Sequence, residues 1–255
     1  MSLRDRIGTP DGKRRLVRAI FATIADRYDF VTVVLSYGRD RHWKRRLIDL
    51  AAPRPGARAI DLATGTGDIA IALAAHGARV VGLDITFRMI ELAREKARAN
   101  VAQGFQPCDR SPERAAPHRP ASFLVGDMLA LPFPPASFDV VTTGYGLRNV
   151  PDLPGAIDEI GRVLVPGGQL LSLDFNRPSN RFVRSAYLAY LTVVGAALGW
   201  ILHRDPVTYR YIPASIRQYP GAAEVARLFE ARGFTEVRCH AVLGGLMIIH
   251  HAIRT

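Results

Sequence analysis

Residues 59–84, AIDLATGTGDIAIALAAHGARVVGLD, restrict the fold more than any other stretch of the chain. An apolar run, Ala59–Leu62, passes into a glycine turn, Ala63-Thr64-Gly65-Thr66-Gly67. A helical stretch follows at Ile69–His76, and a second apolar run, Arg79–Leu83, ends in Asp84. Two strands joined through one helix pair in parallel, and open parallel sheets bind ligands beyond the carboxyl ends of their strands, where the strand order reverses. Asp61 and the turn lie at such an end. Glycine there lets the backbone approach a ligand closely, and Asp84 can accept hydrogen bonds from both hydroxyls of a ribose. Its other reading is the N-cap of the helix that follows Thr86. Gly65, Gly67 and Ala70 also satisfy the loose pattern G-x-G-x-x-G/A. The turn alone therefore leaves a dinucleotide and an adenosyl sulfonium ligand both open.

The rest of the chain repeats the alternation. Strand-like runs occur at Phe123–Val125, Phe138–Thr142, Gln169–Asp174 and Leu246–Arg254, with helices at Met89–Ala99, Leu153–Leu164 and Ala222–Arg232. This is the pattern of an α/β sheet with crossovers. Pro166-Gly167-Gly168 reads as a tight reversal between a helix and a strand. Residues 101–121 hold four prolines and no periodicity, as a long exposed loop would. Ahead of the core, helical segments at Arg15–Arg27 and Arg41–Leu50 flank an aromatic turn, Tyr28-Asp29-Phe30, and resemble a lid. At 255 residues the chain suits a single domain. Its parts are a lid over 1–54, a core over 55–177, a helical insertion over 178–221 and a closing helix and strands over 222–255.

The 34 Lys and Arg against 23 Asp and Glu give a formal charge of +11, which favours an anionic partner. The short basic clusters Lys13–Arg15 and Arg39–Arg46 read as solvated helix faces or a substrate-side rim. Cys108 and Cys239 are far apart and have no metal or redox spacing, so they read as free intracellular thiols. Met1–Pro10 lacks the apolar core of a signal peptide, and a cytoplasmic location is expected. Tyr187–Leu202 is apolar throughout but short for a membrane span, and is expected to be a buried or interfacial helix.

Discrimination between the two ligands comes from residues 126–141, GDMLALPFPPASFDVV. Asp127 falls at the end of a third strand, where it can accept from an adenine amino group while Met128 packs on the ring. The series running from Asp61 to Phe175 resembles class I S-adenosylmethionine-dependent methyltransferases. That resemblance implies a Rossmann-like, mostly parallel seven-stranded sheet with helices on both faces. Five stretches resemble one family within that class, the UbiE/MenG-type C-methyltransferases of ubiquinone and menaquinone biosynthesis. They are FATIADRYDF, LSYGRDRHWKRRL, DLATGTGD, GYGLRNVPD and YRYIPASIRQYP.

This resemblance implies methyl transfer from S-adenosyl-L-methionine to a ring carbon of a polyprenylated quinol, leaving S-adenosyl-L-homocysteine. No metal is implied. Expected cofactor contacts are Asp61, Ala63, Gly65, Thr66, Gly67, Asp84, Ile85, Asp127, Met128 and Gly144. At Gly144 the family often has serine, so only a backbone contact carries over. Thr32 stands where the family commonly has asparagine. Arg148, with Asn149 and Tyr145, is the expected catalytic group; an arginine is too weak a base to take a proton, so Arg148 is expected to polarise the quinol oxygen or a bound water. Asn149 reads equally as the cap of the next helix. Tyr28, Tyr209, Arg210 and Tyr211, with Tyr145, either wall the ring or, for the tyrosines, serve plain packing, and His250 is either a base at the substrate mouth or a buried structural histidine. Expected partners are the lipophilic quinol, an anionic membrane surface met by Arg181, Arg184, His203 and Arg204, and a second copy in a homodimer. Nucleic acid is not among them, because no added binding domain is evident. Another phenolic, polyketide or sterol-like substrate remains the alternative, and a non-catalytic scaffold the remoter one.

Overall fold

The computed structural model describes residues 9–102, 120–178, 180–204 and 208–255. The loop expected over 101–121 falls almost wholly outside the described residues, Cys108 included. Seven strands form one sheet: β1 (Arg58–Leu62), β2 (Arg79–Asp84), β3 (Ser122–Val125), β4 (Phe138–Gly144), β5 (Leu164–Phe175), β6 (Phe234–Val242) and β7 (Met247–Arg254). Their order in space is β3-β2-β1-β4-β5-β7-β6. Strands β1 to β5 are parallel, and β7 runs antiparallel to both β5 and β6. The order reverses between β1 and β4, so the carboxyl ends of these two strands open a ligand crevice.

The central strands are buried on both faces, as crossovers demand. On one face Ala59 and Val80 pack with Trp43 and Leu47 of α3 (Asp40–Ala51), Leu73 of α4 (Asp68–Ala75) and Ile90 of α5 (Phe87–Ala102). On the other, Ile60, Leu62 and Val141 meet Ile157 and Ile160 of α6 (Leu153–Val163) and Phe229 of α9 (Ala222–Glu230). Gly67, at φ +86°, sits where a Cβ would come within 2.9 Å of the Phe123 ring. Its lack of a side chain lets the turn and β3 share one plane of packing.

Helix α1 (Pro10–Ile24) begins under an N-cap, Thr9, whose side chain accepts from the Gly12 amide at 3.2 Å, with proline in the first turn. A single 3₁₀ turn leads into α2 (Tyr28–Leu35). The stretch expected as an aromatic turn is thus helical: Val31 and Leu35 are buried on one side, where Tyr28 precedes them, while Phe30 is exposed. After β5 come α7 (Arg181–His203) and α8 (Tyr211–Gln218). Asn180 caps α7, accepting from the amides of Phe182 and Val183, and Arg204 ends it in the left-handed conformation.

Two further departures from the sequence reading have local causes. Pro166-Gly167-Gly168 does not precede the strand but lies within it: Leu164 already pairs with Phe138, and pairing resumes at Gln169 opposite Val140. The residues between form a bulge, with Gly167 at φ +75°. Strand β6 is the edge of the sheet and mostly solvent-facing. Its sequence, FTEVRCHAV, therefore lacks the apolar run that marks the other strands.

Candidate active site

The crevice divides into two cavities that share Phe21, Tyr28 and Tyr145 as a common wall. The first, about 700 Å³ counting the space open to solvent, lies directly beyond β1, β2 and β4. Asp84 forms its base. One carboxylate oxygen accepts from the Gly65 amide at 3.0 Å and the other from the Thr86 amide at 2.8 Å. Asp84 therefore ties the turn to the residues leading into α5 and borders the cavity; it is not the N-cap of that helix, which begins at Phe87 with Thr86 in the cap position. Burial raises its pKa, opposed by those amides. Ala63, at φ +51°, together with Gly65, Ile85, Asp127, Met128 and Gly144, completes the wall.

Helix α1 closes this cavity from above. Arg14 reaches Asp127 at 3.1 Å, while Val17 and Phe21 face the opening. Lys13 donates to the carbonyls of Arg148 and Val150 at 3.1 and 2.7 Å, fastening α1 to the 3₁₀ turn Leu147–Asn149. Burial, and secondarily Arg148, lowers the Lys13 pKa to about 8.

Three expected contacts of the turn have other partners. Asp61 is buried and accepts from Thr64 Oγ1 at 2.6 Å and Thr142 Oγ1 at 2.8 Å. Burial, opposed by those two hydroxyls, raises its pKa to about 6. Asp61 and Thr66 border a small polar recess beside the main cavity, with Lys44, Asp68 and Tyr145. Thr66 donates to Asp29 at 2.6 Å and accepts from Lys96 at 2.9 Å. Gly67 borders none of these spaces; it serves packing against β3 instead.

The second cavity, about 570 Å³, is walled mainly by apolar side chains of α1 and α2, such as Ile24, Val31 and Leu35, with Phe175 and Ile212 opposite. Arg148, Tyr209 and Tyr211 border it as expected. Arg210 does not: the 3₁₀ turn Thr208–Arg210 turns its neighbours inward and leaves Arg210 exposed. His250 is also displaced from the expected mouth. It is completely buried on β7, its Nε2 lies 3.0 Å from the Ala222 carbonyl, and it borders neither cavity.

Tyr145 occupies the junction, with a backbone φ of +59° that bulky residues rarely adopt. Three hydrogen bonds hold it there. Its amide donates to the Leu173 carbonyl at 2.7 Å, and its own carbonyl accepts from Arg148 Nη1 at 2.9 Å and Asn149 Nδ2 at 2.8 Å. Arg148 is buried against Asp174, Nη1 to Oδ1 2.7 Å, and its guanidinium lies 4.7 Å from the centre of the Phe175 ring. Burial works against its charge, but Asp174 outweighs burial and raises the pKa. Asn149 does not cap α6; Asp152 does, accepting from the Gly155 amide at 3.0 Å.

The residues missed by sequence reading belong to the lid. Lys13, Arg14 and Lys44 lie in basic clusters read as solvated faces or rim, yet each turns inward onto a carbonyl or a carboxylate. Lys44 bridges Asp40 at 2.6 Å and Asp68 at 2.9 Å. Only their alternation with buried Trp43 and Leu47 hinted at this. Among the described residues no group of His, Cys, Asp or Glu could hold a metal ion.

The model of the ubiE/COQ5 methyltransferase family matches residues 9–254. A demethylmenaquinone methyltransferase of Thermus thermophilus is 38% identical over 233 residues, which cover 91% of this chain and 98% of the relative. The ubiquinone/menaquinone biosynthesis C-methyltransferase UbiE of Dinoroseobacter shibae is 35% identical over 242 residues, 94% of this chain and 91% of the relative. Among solved structures, magnesium protoporphyrin IX methyltransferase from Synechocystis, with bound S-adenosylhomocysteine, superposes with a TM-score of 0.61 at 17% identity. It covers 95% of this chain and 100% of that one. At such low identity the likeness speaks for the fold.

Proposed function

This chain belongs to the ubiE/COQ5 methyltransferase family, is an S-adenosylmethionine-dependent methyltransferase of quinone biosynthesis, and, we propose, methylates a ring carbon of a polyprenylated quinol held in the second cavity. The observation that carries this assignment of place is the pair of joined cavities: one has carboxylates at its ends, the other is apolar, and Tyr145 stands between them.

The first cavity suits an adenosyl group by the chemistry of its lining. Asp84 presents a buried carboxylate to ribose hydroxyls, Asp127 presents one to an exocyclic amine, and Leu83, Met89 and Met128 supply apolar surface between them. Asn149 Oδ1 is buried beside the same cavity with no hydrogen-bond partner among the described residues, leaving an acceptor for the ligand. When bound, the cofactor supplies an electrophilic methyl on a sulfonium. The protein's part is to hold the ring carbon in line with that methyl and to accept developing charge. Arg148 is suited to the last task. Its Nε is buried without a partner among the described residues and its side chain borders the second cavity, so it can donate to a quinol oxygen as that oxygen becomes anionic. Tyr28, Tyr209 and Tyr211 wall the ring.

The polyprenyl tail calls for an apolar exit, and α7 supplies a surface of that kind. Phe182, Val193, Trp200 and Ile201 are 80, 68, 67 and 71% exposed along its outer side. Tyr37, after α2, stacks on Tyr190 of α7 at 4.9 Å, so the exposed Phe30 and Val33 of α2 extend the same face. Exposed Arg181 and Arg204 stand at the two ends. This face docks on the surface of an anionic bilayer, with α7 lying in the interface. Flotation with vesicles containing anionic lipid should carry the protein upward at low salt. Failure to float under those conditions would remove the docking proposal.

The reaction itself is tested with trideuteromethyl-labelled S-adenosylmethionine and chemically reduced demethylmenaquinone or demethylated ubiquinol precursor. Mass spectrometry should find label on a ring carbon of one of them. Absence of label from both, with cofactor binding intact by calorimetry, would overturn the quinol assignment and direct the search to other phenols.

A further inference from the structure

Removal of the quinol hydroxyl proton needs an acceptor, and among the described residues no carboxylate or histidine borders the second cavity. Two buried carboxylates stand one residue behind its wall. Asp174 is committed: Arg148 Nη1, the Arg148 amide and the Phe175 amide occupy its two oxygens at 2.7, 3.2 and 2.8 Å. Asp40 differs. Its Oδ2 is held by the Lys44 ammonium at 2.6 Å, and its Oδ1 accepts from the hydroxyl of Tyr145 at 2.8 Å. Building on the quinol reading above, we infer that Asp40 and Tyr145 form a relay that takes the quinol hydroxyl proton during methyl transfer and returns it afterwards.

Tyr145 has a single O–H, and Asp40 takes it. The phenolic oxygen keeps its lone pairs, and Tyr145 borders the second cavity, so the relay requires that oxygen to accept from a substrate hydroxyl there. The tyrosine's strained backbone, over-determined by Arg148 and Asn149, is the kind of stored conformation found where a side chain must stand in one place. Asp40 is fixed as firmly. Lys44 is shared with Asp68 at 2.9 Å, Asp68 with Lys96 at 2.7 Å, and Lys96 with Asp29 at 2.6 Å, an unbroken line of ion pairs from the cavity wall to a half-exposed carboxylate. Because Oδ2 is anchored in this line, Oδ1 stays on Tyr145. Burial, and secondarily Asp40, holds the Tyr145 pKa well above its ordinary value. It therefore passes a proton on rather than resting as a tyrosinate.

The protons balance. As the ring carbon's electron pair forms the bond to the methyl and the S–C pair leaves with sulfur, the quinol hydroxyl gives its proton to Tyr145. Tyr145 passes its own to Asp40, and the ring becomes a methylated dienone. The ring carbon then releases its hydrogen to water as a proton, and the C–H pair restores aromaticity. Asp40 returns the first proton through Tyr145 to the carbonyl oxygen. One proton leaves for each methyl transferred. Asp40 acts only through Tyr145 and is a positioning and relay residue; Tyr145 is the group that touches substrate.

The test compares Asp40→Asn and Tyr145→Phe with wild type on demethylmenaquinol and on a ring-chlorinated analogue whose hydroxyl is more acidic. Wild-type turnover with demethylmenaquinol tests the quinol reading separately from the relay. On demethylmenaquinol each variant should lose roughly 10²-fold in kcat, within the range of general acid–base catalysis, with calorimetric cofactor affinity within about threefold of wild type (roughly 0.7 kcal/mol). On the chlorinated quinol the loss should shrink to about a tenth of that, since less help is needed to remove its proton. Asp40→Glu should recover part of the rate that Asp40→Asn loses. A deficit equal for both quinols would assign Asp40 a merely structural role and overturn the relay, as would wild-type kcat in Asp40→Asn.

Discussion

The cofactor half and the substrate half of the site are built over very different distances along the chain. In the first, Asp84 and the glycine turn that it holds are 19 residues apart. In the second, Asp40 and Tyr145 are separated by 105 residues, and Lys13 and the Arg148 carbonyl by 135. A strand–turn–helix–strand unit makes its own binding geometry, because a parallel crossover leaves few alternatives. The substrate half exists only once α1, α2 and α3 have docked on the core, whereas the cofactor half takes from the lid only its cover, Arg14, Val17, Phe21 and Tyr28. If this contrast is real, damage to one half should leave the other half's ligand largely undisturbed.

The largest effect should come from Asp174→Ala. It strands the Arg148 guanidinium in the interior without its partner, a change that costs about 3–5 kcal/mol when a buried ion pair loses one member. A large drop in thermal midpoint is expected, measured by calorimetric scanning. Below that midpoint cofactor affinity should stay near wild type, because Asp174 lies behind the second cavity and not the first. Loss of cofactor affinity equal to the loss of quinol turnover would break the division into halves.

Asp84→Ala tests the other half. It removes the ribose acceptor and leaves the amides of Gly65 and Thr86 without the oxygens they now bond. Cofactor binding should weaken roughly 10²-fold, about 3 kcal/mol, as for a lost set of hydrogen bonds to a charged group. Isothermal calorimetry decides; retention of wild-type affinity would remove Asp84 from the site. A smaller effect belongs to Arg14→Ala at the boundary. The Arg14–Asp127 pair is half-exposed, and such pairs contribute at most about 1 kcal/mol. Cofactor affinity should fall about threefold at low salt, with the difference fading at high salt as screening weakens the wild-type pair.

What could be read in the sequence follows the same contrast. The turn, Asp84, Asp127 and five parallel strands were legible because period and punctuation are local properties. The edge strand β6 was not, since its two faces are mostly solvated and its pattern is weak. Tyr28-Asp29-Phe30 looked like a turn because only Tyr28 turns inward, on the side of Val31 and Leu35, while Asp29 and Phe30 are exposed. The inward turn of Lys44 could not be seen either: a lysine beside arginines reads as surface until Asp40 and Asp68 converge on it from two helices. Arg210 failed for a related reason, since sequence places a residue on an element but not on its inner or outer side; His250 meets the structural one of its two readings, buried on β7 beside the Ala222 carbonyl.

The lid's own fastening gives the finest test of the contrast. Lys13 holds α1 to the Arg148 turn, yet its surroundings disfavour its charge and bring its pKa down to about 8 from the ordinary 10.5. Below about pH 8 the amine is protonated in folded and unfolded chains alike, so it adds no pH dependence there, and the folded protein bears the cost of the buried charge. Between about 8 and 10.5 the unfolded chain holds a proton that the folded one has released. Stability from this group must therefore rise with pH across that window. Lys13→Met abolishes the titration, and other groups cancel when wild type and variant are compared at each pH. The thermal midpoint of wild type minus that of Lys13→Met should therefore climb from pH 8 to pH 10. Cofactor affinity of the wild type should hold through the same range, because a neutral amine keeps two N–H donors for its two carbonyls. A midpoint difference that is flat or falls with pH would mean that Lys13 is solvated, and that α1 is held down by its apolar face alone.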